Sequence, residues 1–224
     1  MGSEALRREE WCLVPIASGG PPQHPSAQRI LDRFWVVPQA DARRQEMMLA
    51  FLFDTLAERY TDFVDVPRNV GNIRRLVGLL GPPAQGRAHR VLDVGCGAGL
   101  SMPLVRELGI DIIGVDVSDT MRRLAVEAGL RVIDPQQLQA VRAGYFSGAF
   151  AAYVFHLDPQ PSSLPEIMRV IDRGGVLAAN FHKGMGYEEF ASYASSLNLP
   201  VTVRTQGKLS GSGDVAVTVS HAVL

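Results

Sequence analysis

Val91-Leu92-Asp93-Val94-Gly95-Cys96-Gly97-Ala98-Gly99 decides how this chain folds. Val91 to Val94 is an apolar run with one carboxylate set into it. Three alternating glycines follow, and then a helix-compatible segment, Leu100 to Leu108. An apolar run, a glycine cluster and a helical pattern in that order read as a buried strand, a tight turn and a helix start. Glycines at such a turn let the backbone approach a ligand and reach torsions barred to other residues. The first turn of the helix offers unpaired N–H groups to an anion.

The spacing separates two classes of nucleotide site. A dinucleotide fingerprint reads G-x-G-x-x-G. Here the third glycine comes one residue early, giving D-x-G-x-G-x-G. About one strand later, Ile112-Ile113-Gly114-Val115-Asp116 is an apolar run ending in an acid, and an acid at the tip of a second strand accepts both hydroxyls of a ribose. With Asp116-Val117-Ser118-Asp119-Thr120-Met121-Arg122-Arg123-Leu124-Ala125 added, the chain resembles the class I S-adenosylmethionine-dependent methyltransferases of small-molecule type, whose pattern at this place is D-x-S-x-x-M-x-x-x-A. The resemblance is specific over residues 88–182 and architectural elsewhere.

The resemblance implies an α/β fold: a Rossmann-like, doubly wound seven-stranded sheet in the order 3-2-1-4-5-7-6, with the last strand antiparallel and an N-terminal helical lid. It implies S-adenosylmethionine as cofactor and S-adenosylhomocysteine as product. Asp93, Gly95, Cys96, Gly97 and Gly99 would hold the methionine part. Asp116 would take the ribose, Met121 would pack on the adenine beside Val117, and Asp134, at the end of Leu130 to Ile133, would receive the adenine amino group. Tyr153 joins the cofactor-binding set. Cys96 reads as a small side chain tolerated against the ligand, not as a nucleophile.

N-terminal to the glycine motif, residues 1 to about 26 hold Gly19-Gly20-Pro21-Pro22 and Pro25, which predicts loop, with Trp11 arguing for some docking. Asp41 to Tyr60 predicts a helix, since Met47, Met48, Phe51, Leu52, Leu56 and Tyr60 recur near three-to-four spacing. A second helix is expected over Asn69 to Leu80, ending before Gly81-Pro82-Pro83. Residues 1–80 are therefore expected as an extension and helical lid, and 81–224 as the cofactor-binding domain. Ala57 to Val64 resembles a tyrosine-containing segment that in many small-molecule members folds over the cofactor, so Tyr60 is a candidate contact. A helix-end Tyr packed on the core is the other reading. Arg68 and Arg74 read as solvated.

Further along, Gly148 to Phe155 is expected as the fourth strand, apolar on both faces as a central parallel strand must be. Ser162 or Ser163 should cap a helix through Val170. Asp172 to Gly175 is a turn, Val176 to Phe181 the fifth strand, and Tyr187 to Leu197 a helix. Val201 to Thr205 and Val215 to Val223 alternate as an antiparallel pair joined by Gly211-Ser212-Gly213.

Ligands in open α/β sheets bind at the carboxyl ends of the strands, near the switch point. Gly95 to Gly99, His156 and His182 should gather there. Methyl transfer from a sulfonium needs alignment above all, and a base only when the acceptor carries a proton that must leave. Histidine suits that role, which makes His156 the first candidate and His182 the second. Packing near the cofactor and a loop hydrogen bond are the competing readings. The carboxylate and amide cluster of metal-dependent catechol-type members is not found, so no metal is expected. The Asn-Pro-Pro-Tyr signature of amino-methylating enzymes is replaced by Phe155-His156-Leu157-Asp158.

Composition bounds the rest. The chain has 224 residues, 46% hydrophobic and 20% charged, with net charge −1. That suits a globular protein and offers no electrostatic footprint for nucleic acid or an anionic membrane. No apolar run approaches the ~20 residues of a membrane span. A polar N-terminus, and only Cys12 and Cys96, point to a reducing cytoplasm. A monomer or homodimer is expected, with a small-molecule substrate and oxygen slightly favoured as acceptor. Richness in Ala, Arg and Gly hints at a GC-rich bacterial genome, where such enzymes tailor secondary metabolites. Two rivals stand beside this reading: a relative using the bound cofactor for cyclisation or elimination, and a non-catalytic partner protein with a relic pocket.

Overall fold

The computed structural model describes residues 6–7, 10–18, 24–39, 45–83, 85–86, 88–208 and 213–222. The expected Gly19 to Pro22 loop, the first residues of the predicted Asp41 helix and Gly211-Ser212 lie outside them. The chain divides into two compact units, residues 1–64 with 117–120, and residues 65–116 with 121–224.

The first unit corrects the expectation of loop before the first helix. β1 (Leu6–Arg7), β2 (Trp11–Pro15), β3 (Gln28–Ile30) and β4 (Phe34–Pro38) form an antiparallel sheet in the order β1-β2-β4-β3. Along β4 burial alternates, with Phe34, Val36 and Pro38 inward, the period expected of a strand with one covered face. β3 and β4 are joined through Leu31 and Asp32, both at positive φ (55° and 51°), with Arg33 N–H donating to the Ile30 carbonyl at 3.2 Å. Paired positive φ angles are the geometry of a tight hairpin turn, usually announced by Asn-Gly. Leu-Asp carries no such signal.

α1 (Gln45–Leu56) buries Met48, Leu49, Phe51, Leu52 and Leu56 and leaves Met47 exposed. A 3-10 turn, Ala57–Asp62, extends it, with a non-helical Arg59. Within this unit Asp54 Oδ1 accepts from the Ser118 hydroxyl at 2.6 Å and from Thr120 N–H at 3.0 Å.

The second unit holds the sheet that the sequence predicts. Its elements are α2 (Val66–Leu79), β5 (Arg90–Val94), α3 (Met102–Leu108), β6 (Asp111–Val115), α4 (Asp119–Glu127), β7 (Arg131–Ile133), α5 (Pro135–Ala140), β8 (Gly148–Ala152), α6 (Leu164–Val170), β9 (Val176–Phe181), α7 (Tyr187–Ser196), β10 (Val201–Lys208) and β11 (Val215–His221). α4 begins in the 117–120 stretch. The order is β7-β6-β5-β8-β9-β11-β10. β5 to β9 run parallel, and β11 is antiparallel to both neighbours. Numbered within the sheet this is 3-2-1-4-5-7-6, as expected.

Successive residues of the central strands point to opposite faces and feed two cores. Leu92, Val94, Ala149, Ala151, Leu177 and Ala179 belong to one. Val91, Phe150 and Ala178 belong to the other. Each large apolar side chain so buried contributes about 1.5–3 kcal/mol. α2 starts earlier than expected because Asp65 caps it, accepting from Arg68 N–H at 3.0 Å, with Pro67 in the first turn. β8 stops at Ala152, three residues short of the expected end, because Tyr153 turns to φ 61°. Ser163 stands at the N-terminal boundary of α6 without a side-chain cap bond, the first turn being set by Pro165.

Candidate functional site

Two acids and three glycines meet at the carboxyl ends of β5 and β6. Gly95, Gly97 and Gly99 all take positive φ (65°, 51° and 79°). Gly95 and Cys96 N–H both donate to the Val115 carbonyl, at 2.8 and 3.1 Å, which ties the turn to the end of β6. Asp116 Oδ2 accepts from Gly97 N–H at 2.8 Å, and the Asp116 carbonyl accepts from Arg122 Nη1 at 2.6 Å. Only glycine fits at 99, where a Cβ would stand 3.1 Å from the Ala125 backbone.

Asp93 is 3% exposed. Burial raises its carboxyl to about 7; the Ser101 side chain opposes this and the nearby Asp116 charge adds to it. A buried acid lifted this far, beside a second acid on a glycine turn, fits a ligand that brings its own positive charge and hydroxyl groups. That donor set fits the amino acid and ribose parts of the cofactor implied by the sequence.

The other expected cofactor residues are placed as follows. Cys96 is buried, and its Sγ would lie 2.6 Å from a Cβ on Gly114. The side chain therefore belongs to the core, and burial pushes its thiol far up. Met121 is buried. Asp134 caps α5: its Oδ1 accepts from Gln137 N–H at 2.7 Å, while Gln137 Oε1 accepts from Asp134 N–H at 2.9 Å. Tyr60 and Val117 belong to the first unit, where the Tyr60 ring packs edge-on to Phe53 at 6.4 Å.

The two candidate bases come together at the ends of β8 and β9. The rings of Tyr153, His156 and His182 stand 6.2 Å from one another, centroid to centroid. His156 Nδ1 is buried without a hydrogen-bond partner among the described residues. Burial, with His182 next in weight, lowers His156 to about 4, against a smaller opposing pull from Asp214. His156 is therefore neutral near pH 7 and a weak base.

Sequence reasoning missed the polar group beneath these rings. Asp214, fully buried, accepts from Tyr153 Oη at 2.6 Å, Asn72 Nδ2 at 3.1 Å, Lys183 N–H at 3.0 Å and Arg68 Nη2 at 2.9 Å. Asn72 Nδ2 also donates to Tyr153 Oη. Arg68, expected to be solvated, is instead held by this carboxylate, because a fully buried acid requires a partner. Arg74 pairs on the surface with Glu107, Nη2 to Oε2 at 2.7 Å. Asn180, fully buried, accepts from Tyr153 N–H at 2.8 Å and so holds the strained turn. Its own signal was legible, since Asn is out of place in the apolar run Val176 to Phe181. Asp214 gave none beyond the preceding glycine.

Comparison with known proteins bears on this site. Residues 92–179 match the family model described as "Methyltransferase domain". Over this span the chain is similar to a methyltransferase domain. That span runs from β5 to β9 and contains Asp93, the glycine turn, Asp116 and Tyr153.

Over 108 residues the chain is 34% identical to an 18S rRNA (guanine-N(7))-methyltransferase of Arabidopsis thaliana, covering 45% of this chain and 37% of that protein. Over 136 residues it is 27% identical to a ubiquinone biosynthesis O-methyltransferase of Bordetella avium, covering 57% of this chain and 54% of that protein. The chain thus spans only about a third to a half of the length of these curated relatives. The magnesium protoporphyrin IX methyltransferase of Synechocystis PCC 6803 with bound S-adenosylmethionine shares the fold, with a TM-score of 0.59 at 17% identity over 82% of this chain and 100% of that one.

Among the described residues no helix is long and apolar enough to cross a membrane, and no group of three His, Cys, Asp or Glu side chains could hold a metal ion.

Proposed function

We propose that this chain is an S-adenosylmethionine-dependent methyltransferase acting on a small-molecule acceptor, with oxygen the favoured acceptor atom, in bacterial secondary metabolism. The observation that carries the reading is the pair of acids on one glycine turn, Asp93 raised to about 7 by burial and Asp116 bonded to Gly97 N–H. Asp93 and the glycine turn hold the amino acid part of the cofactor, Asp116 the ribose, and Met121 with Asp134 the adenine. Bound there, the cofactor supplies a methyl group already activated on a positively charged sulfur.

The chain's own contribution is then alignment and exclusion of water. An acceptor near the ends of β8 and β9 meets Tyr153, His156 and His182. An imidazole at that place suits an acceptor whose proton must leave, which is why oxygen is favoured. The B. avium relative, named as an O-methyltransferase, supports this choice.

A nucleic-acid acceptor is the second reading, favoured by the name of the A. thaliana relative. The net charge of −1 argues against it, because phosphate binding draws on clustered positive charge. Incubation with methyl-labelled cofactor tests both readings. Label passing to a hydroxylated small molecule, with one S-adenosylhomocysteine formed per product, is the expected result. Label passing only to RNA would favour the second reading, and product formed without S-adenosylhomocysteine would favour non-methylating chemistry.

A further inference from the structure

The Asp214 network reaches one of the two imidazoles. His182 Nδ1 lies 3.6 Å from Asp214 Oδ1. That carboxylate is fully buried and anchored by Arg68, Asn72, Tyr153 and the backbone of Lys183, so it cannot swing away from the ring. At 3.6 Å this is an ion-pair contact and not a hydrogen bond; a fixed carboxylate on the Nδ1 side stabilises the imidazolium and favours the neutral form with its proton on Nδ1. Tyr153 is locked in the same way: its hydroxyl bonds to Asp214 and its backbone N–H to Asn180. A tyrosine at φ 61° is strained, and strain of this kind persists only where surrounding structure holds it. So many bonds spent on one turn at the strand ends mark it as a positioned site and not a loop.

We propose that Asp214 is a positioning residue for methyl transfer to a hydroxylated acceptor, setting His182 with its lone pair on Nε2 so that His182 accepts the acceptor's proton. The proposal rests on the methyltransferase reading above. The acceptor's O–H bond breaks and its proton goes to His182 Nε2. The electron pair left on oxygen forms the new bond to the methyl carbon, and the pair of the broken S–C bond returns to sulfur.

Several groups bear on the proton affinity of His182. Asp214 favours the imidazolium. Arg68, paired with Asp214 at 2.9 Å, opposes it. His156 adds no like charge near pH 7, since its burial keeps it neutral. Tyr153, raised to about 12 first by burial and then by Asp214, is also neutral there.

The test is an NMR titration of ring-labelled histidines in the full chain, with the His182 signal assigned by its loss in His182→Gln. Asp214→Asn is expected to lower the proton affinity of His182 about tenfold or more and to mix its tautomers. Tyr153→Phe, which removes one neutral donor and keeps the Arg68 partner, is expected to raise it, because the carboxylate is less satisfied by its other bonds. A carboxylate that only packs the turn would not move one ring in opposite directions. Should Asp214→Asn fail to fold, Tyr153→Phe decides alone. A His182 titration unchanged in the variants that fold overturns the proposal. S-adenosylhomocysteine binding to the wild type, measured on the same sample, separates this from failure of the methyltransferase reading: its absence overturns both.

Discussion

Tyr153 Oη donates to Asp214 Oδ2 at 2.6 Å, joining the end of β8 to the residue that leads into β11. The bond crosses β9 and fastens the two strands on either side of it at their functional ends. Asp214 is fully buried, so its charge is tolerated only because Arg68, Asn72, Lys183 N–H and Tyr153 surround it.

Tyr153→Phe removes one of these donors and leaves the carboxylate under-bonded. A loss of about 1–3 kcal/mol of stability is expected, read from urea unfolding. In the wild type, tyrosinate absorbance from Tyr153 should appear only near pH 12, the value to which burial and Asp214 raise it. A stability loss close to zero would mean that the bond contributes little.

On the proposed reading, Asp93 should make cofactor binding depend on pH. A carboxyl at about 7 in the unliganded protein must ionise to receive a positively charged amino group. Affinity for S-adenosylhomocysteine should therefore climb as pH rises through 7, by about tenfold per pH unit below it, and level off above. Calorimetry in buffers of different ionisation heat should show proton release near neutral pH. The same shift acts on folding with the opposite trend. Between the ordinary value of 3.8 and about 7 the native state holds a proton that the unfolded chain has lost. This group's contribution to stability therefore falls as pH rises across that window, and Asp93→Asn should remove that slope from the unfolding curve.

His156 has the reverse sign. Its pKa of about 4 lies below the ordinary 6.5, so between these values the unfolded chain binds the extra proton. Stability from this group is fully present above 6.5 and is lost as pH falls towards 4. His156→Gln should flatten the acid side of a stability profile measured by thermal melting.

Gly99→Ala combines a φ of 79° with a Cβ 3.1 Å from the Ala125 backbone. Loss of at least about 1 kcal/mol is expected from the torsion alone, with weaker cofactor binding as the turn shifts. Circular-dichroism melts and a cofactor titration on the same variant check both.

The sheet was legible because its central strands are apolar on both faces and its acids and glycines stand at fixed intervals. Val91 to Asp116 alone carried two strands, the turn between them and the cofactor class. The antiparallel sheet within residues 6–38 was hidden because its hairpin turns through Leu31 and Asp32, residues that do not advertise positive φ, and because Pro15 and Pro38 are the last residues of two of its strands. At the site, His156 and His182 were legible as residue types with acid-base chemistry, but the strength of each as a base depends on burial, which a single sequence does not display. Asp214 and Asn72 were illegible for another reason. They stand 142 residues apart and meet only when β11 lies against β9, and nothing local in either segment signals the other.

The most direct test of the central claim is calorimetric titration of S-adenosylhomocysteine into the freshly purified, cofactor-free protein and into Asp116→Ala. The account predicts micromolar binding to the wild type, weakened by about 1.5–3 kcal/mol in the variant through loss of a charged hydrogen-bond partner. Absence of binding to the wild type, or equal binding by both proteins, would contradict it.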